Sequence, residues 1–142
     1  MRIGILVVAM GLAIVIFLGP GVARAESGRL SIELNKVETS ASGCQLHLVV
    51  TNGTTTPLKV FSADLAVFDT GGVLTLRSTI SFGGLRANKT HIRSFMLPGT
   101  GCSDIGRLLL NDVVQCQPVD NASLDCAAVL DVNSRAEIDL VQ

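Results

Sequence analysis

The sequence predicts an all-β fold, an antiparallel sandwich of seven or eight strands, preceded by a cleaved signal peptide. Three observations carry this expectation. Apolar and polar residues alternate with a period of two over most of the chain after residue 25. Gly, Asn, Asp and Pro interrupt the alternation at intervals of roughly 10–15 residues, the rhythm of strands joined by turns. All four cysteines fall in that same stretch, as expected of a small exported domain held by disulfides.

The N-terminus supplies the export signal. Arg2 gives a positive start, and residues 3–18 form an apolar run of 16. Gly19-Pro20-Gly21 breaks any helix, and Ala23-Arg24-Ala25 places small residues where a signal peptidase reads. The run is shorter than the ~20 residues a membrane-spanning helix needs. The expected domains are therefore a signal peptide over 1–25 and a single β-sandwich domain over 26–142, in a periplasmic or secreted protein. No cysteine follows the run to carry a lipid. No paired arginines precede it, which favours the general export route. After cleavage no transmembrane anchor is expected.

The strands follow in order. Leu30, Ile32 and Leu34 alternate with Ser31, Glu33 and Asn35. Leu46, Leu48 and Val50 lead to the turn pair Asn52-Gly53, a threonine run and Pro57. Residues 58–68 are rich in β-branched and aromatic side chains. They end at Asp69-Thr70-Gly71-Gly72, which suits a hairpin, and residues 73–82 return. Gly83-Gly84 and Asn88-Lys89 punctuate the way to residues 90–97. Pro98 and Gly99 then open a loop that leads to residues 107–114. The tail, 124–132 and 136–141, reads as two further strands in preference to one helix. No internal repeat or low-complexity linker marks a second domain.

Composition excludes several functions. Arg2 and Arg24 leave with the signal, so 9 basic and 12 acidic residues remain, a net charge near −3. There is no basic cluster of the kind that tracks a phosphate backbone, and no Trp or Tyr to stack on bases, so nucleic acid is not an expected partner. Cys44, Cys102, Cys116 and Cys126 read as two disulfides, with all three pairings open. The closest spacings leave nine and thirteen residues between cysteines, not the two to four of a zinc knuckle. No cofactor is expected.

One family resemblance is present. Val49-Val50-Thr51-Asn52-Gly53, then Leu65-Ala66-Val67-Phe68-Asp69 with Gly72-Val73-Leu74, then Leu85 with Lys89-Thr90 and Phe95, resembles the FxLYD-type immunoglobulin-like domains of bacterial envelope proteins. It spans roughly residues 45–97. The glycine usual before the Lys/Glu-Thr pair is Asn88 here, and four cysteines are not part of that pattern. The resemblance implies an immunoglobulin-like sandwich with an adhesive or structural role, and carries over no catalytic residue.

Several motifs invite sharper readings. Asp69-Thr70-Gly71 follows an apolar strand, as the catalytic triplet of aspartic proteases does. The segment from Ile105-Gly106-Arg107 to Leu110 is similar to one in single-domain retroviral-type proteases. In such a dimer two Asp69 carboxylates would share one proton. The simpler reading is a hairpin turn and a core strand, because only 34 residues separate Gly71 from Gly106. Leu97-Pro98-Gly99-Thr100-Gly101 matches a wall-sorting signal in letters, yet 41 residues follow it, so it reads as a turn. His47, His91 and Met96 are the candidates for a copper-like metal site, against ordinary surface placement. Asn52, Asn88 and Asn121 each begin an Asn-x-Ser/Thr triplet and read as turn residues. Arg77, Arg86, Arg93 and Arg107 lie in or near strands, where they line a solvated face or hold an acidic partner.

The expected function is a non-enzymatic binding or structural module of the cell envelope. It would present a sheet face or an edge strand to a partner protein.

Overall fold

The computed structural model describes residues 28–142. The expected signal peptide over 1–25 lies outside the described residues. Eight strands follow in order: β1 Leu30–Ser40, β2 Gly43–Asn52, β3 Leu58–Asp69, β4 Leu74–Leu85, β5 Lys89–Pro98, β6 Ile105–Pro118, β7 Leu130–Ser134 and β8 Asp139–Val141. They form two four-stranded sheets, ordered β5-β2-β1-β7 and β4-β3-β6-β8. The tail is strand, as expected, but its two strands are only five and three residues long.

The core follows from period-two patterning. Leu30, Ile32 and Leu34 of β1 and Leu46, Leu48 and Val50 of β2 are buried and face Ala63, Leu65 and Val67 of β3. A bulge at Asn35 shifts the parity of β1, so that Val37 also turns inward. Phe61, Phe82 and Phe95 fill one end, with ring centroids 5.3 and 5.5 Å apart in a stacked and an edge-on pair. The middle of β3 is buried on both faces, because side chains from β4 and β6 lie over its outer row.

Six strands have immunoglobulin-type connectivity: β1-β2-β5 in one sheet and β4-β3-β6 in the other. The sheets are mixed, which corrects the expectation of a wholly antiparallel sandwich. After β6 the chain does not fold back beside it. It crosses to the other sheet, where β7 lies parallel to β1, and then returns so that β8 lies parallel to β6. The period of two reveals strands but not their partners, so it carried no sign of this crossing.

The disulfides pin two of the crossings between sheets, β5 to β6 and β6 to β7. Cys44 at the start of β2 bonds Cys102, in the single 3₁₀ turn between β5 and β6. Cys116 near the end of β6 bonds Cys126, in the loop that leads to β7. Among the described residues no cysteine is free. No described helix is long and apolar enough to cross a membrane.

Candidate functional site

Asp69 sits in the β3–β4 hairpin. Its Oδ1 accepts hydrogen bonds from the backbone N–H of Gly71 at 2.9 Å and of Val73 at 2.8 Å. Gly72 adopts φ +80°, which a side chain would strain. The Asp-Thr-Gly triplet is thus a turn whose carboxylate holds the loop. Ile105 pairs with Asp69 at the start of β6, and a Cβ at Gly106 would fall 2.3 Å from the Asp69 carbonyl oxygen. That close approach is a packing reason for the second half of the protease-like pattern.

His47, His91 and Met96 are not brought together. His47 lies on the outer face of β2, bonded to Glu38 Oε2 at 2.5 Å and Ser94 Oγ at 3.0 Å. Met96 shares that outer face on β5, where its sulfur receives Ser40 Oγ at 3.9 Å. His91 has the opposite parity on β5 and turns toward the other sheet. Its Nε2 accepts the Arg86 backbone N–H at 3.3 Å. Burial, then the positive charges of Arg93, Arg86 and Lys89, lower the His91 pKa below the ordinary imidazole value. Among the described residues no group of three or more His, Cys, Asp or Glu is placed to hold a metal ion.

The glycan-like triplets are turns and caps. Asn52 is fully buried, donates to the carbonyls of Thr56 at 2.9 Å and Leu85 at 3.2 Å, and accepts from Thr54. Asn88 and Asn121 adopt φ of 52° and 54°, the left-handed region that asparagine tolerates. In the sorting-like segment, Gly99 adopts φ +67° and donates to the Ser42 carbonyl at 3.0 Å.

The arginines have separate fates. Arg77 grips Asp64 through both carboxylate oxygens, in three contacts of 2.6 to 3.0 Å, and Asn111 donates a further bond at 3.0 Å. The guanidinium of Arg77, then Asn111, hold the Asp64 pKa below the usual carboxylate value although the residue is buried. Arg107 stacks over Phe68, 4.7 Å from the ring centroid. Arg93 turns inward and spans the two sheets, donating to the Phe82 carbonyl at 2.7 Å and the Gly84 carbonyl at 3.3 Å.

These placements leave open the sandwich edge formed by β4 and β5. The opposite edge is closed by brevity, since β7 and β8 are five and three residues long. Here β4 and β5 run twelve and ten residues, and among the described residues no strand lies beyond either. Arg93 bridges them at one end. At the other they part, leaving a cleft of about 340 Å³ between residues 76–81 of β4 and 95–98 of β5. Leu76, Ile80, Phe95 and Leu97 form its apolar walls. Ser78 lies between Leu76 and Ile80 on the inward row, paired with core residue Leu65, yet is exposed. Its sequence signal was a polar residue at a core position between two apolar ones. The signal is weak, because pairing order alone makes β4 an edge. Comparison with family models, curated proteins and solved structures returns no match.

Proposed function

We propose that this chain is an exported, non-enzymatic binding module that takes an extended segment of a partner protein along its β4–β5 edge. The observation that carries the reading is the open cleft at Ser78, beside two long strands beyond which no described strand pairs. An edge strand offers alternate backbone N–H and C=O groups outward, and an incoming strand satisfies them while its side chains enter pockets at every second position. Export is supported by two disulfides that tie the β5–β6 and β6–β7 connections to strands, a use of cysteine typical of oxidising compartments. The FxLYD-type resemblance covers β2 to β5 and points to the same adhesive class.

The test is selection from a displayed library of random linear peptides on the oxidised domain. The reading expects enrichment of sequences with apolar residues at alternate positions, and loss of their binding in Ser78→Arg, which fills the cleft at an exposed position. A melting curve close to that of the parent shows that the variant is folded. No enrichment, or binding indifferent to Ser78→Arg, would refute the proposal.

A further inference from the structure

The segment between Asp69 and Asp104 contains no carboxylate, yet it carries Arg77, Arg86, Lys89 and Arg93 as well as His91. It comprises both strands of the open edge and the loop over residues 86–88 that carries the chain from one sheet to the other. The other described residues hold 5 Lys and Arg against 11 Asp and Glu. The described residues outside this edge are therefore net acidic, and the edge is net basic. Asp64 offsets Arg77, so the uncompensated charge lies at the end where β4 leads into β5, on Arg86, Lys89 and Arg93. Among the described residues no carboxylate forms an ion pair with any of these three. They stand close enough to repel a proton from His91, and Arg86 and Lys89 are exposed.

From this charge complementarity we infer that the occupant of the edge is an acidic extended segment of a partner protein. Its apolar side chains enter the cleft between Leu76, Ile80, Phe95 and Leu97, and its carboxylates lie toward the loop between β4 and β5. This rests on the edge-binding reading above and adds the partner's chemistry and polarity. Strand geometry sets the spacing. Lys89 and Arg93 lie six and two residues from Phe95, so the carboxylates fall about 7–20 Å from the apolar anchor. A basic segment is rejected by the same three cations.

The test uses three labelled synthetic peptides of equal length, each alternating valine and serine. One carries three acidic residues at one end, the second their amides, and the third lysines. Fluorescence anisotropy at low and physiological salt reads binding to the oxidised domain. The acidic peptide is expected to bind about tenfold more tightly than the amide peptide, with an advantage that shrinks as salt rises. The lysine peptide binds most weakly. The advantage disappears in the double variant R86E/K89E, and all binding is lost in Ser78→Arg. Equal binding of the acidic and amide peptides overturns the acidic preference. If Ser78→Arg still abolishes that binding, edge recognition stands. If Ser78→Arg changes nothing, both readings fall, as they do if no peptide binds. Sedimentation of the domain alone covers the remaining occupant. A dimer that Ser78→Arg converts to monomer would assign the edge to a second copy and overturn the inference.

Discussion

Single residues here do structural work that their sequence motifs disguise. Asn52 opens a glycan-like triplet, yet its buried amide joins three segments through Thr54, Thr56 and Leu85. Asn52→Ala strands two carbonyls and an amide away from water. It should lower the unfolding free energy by about 2–3 kcal/mol, read as a shift in the urea midpoint at constant slope. Asp69 provides a second check. Asn keeps the accepting oxygen and Ala removes it, so Asp69→Asn should leave stability within about 0.5 kcal/mol and Asp69→Ala should cost about 1 kcal/mol. Loss of a hydrolytic activity in Asp69→Asn, with stability intact, would restore the protease reading. His91 sets a pH dependence. Its folded pKa is depressed by burial and by three cations, so the unfolded chain binds a proton that the fold excludes. The stability of neutral His91 is complete above the ordinary value of about 6.5 and is lost as the pH falls through it toward the folded pKa. Melting temperature should therefore decline from pH 7 to pH 5, and His91→Gln should flatten that decline. Asp64 acts lower on the scale. Its depressed pKa means that its contribution persists above about 3.9 and fades below.

At the scale of elements, the sequence was most legible where alternation is strict. β1 could be read over residues 30–35 and β2 over 46–50, because there one face is core and the other is less buried; beyond the bulge at Asn35 the pattern of β1 gave no reading. β3 was legible as a strand but not as a central one. Its outer row is buried by Arg77, Asn111 and Gln115, which no local pattern connects to it. The tail misled in extent. Residues 124–129 are apolar enough to read as strand, yet they form the loop that Cys126 ties to β6. Cysteine pairing could not be read, since it depends on which loops cross between sheets. The crossings now rank the two bonds. Cys44–Cys102 closes a 58-residue span and Cys116–Cys126 a 10-residue span. Chain entropy gives about 4 kcal/mol for the first and about 3 kcal/mol for the second. Chemical denaturation of the paired Cys→Ala variants should show the larger loss for Cys44/Cys102. Equal or inverted losses would mean that restriction of the unfolded chain does not set their weight.

For the whole molecule, the candidate site is a property of topology. Edge status, the short strands opposite and the cleft at Ser78 all arise from which strand lies beside which. The cationic stretch between Asp69 and Asp104 was visible in the sequence, but it gained meaning only when both halves met at one edge. The mixed sheets serve the same asymmetry, because crossing to β7 and β8 closes one side with short strands and leaves the other long. The most direct test of an open, strand-accepting edge is amide hydrogen exchange of the oxidised domain, alone and with the selected or acidic peptide. Exchange should be rapid at the outward amides of residues 76–81 and 95–98 in the free protein. It should slow there when peptide is added, with β7 and β8 unchanged. Protection that appears elsewhere, or an edge already protected in the free protein, would contradict the account.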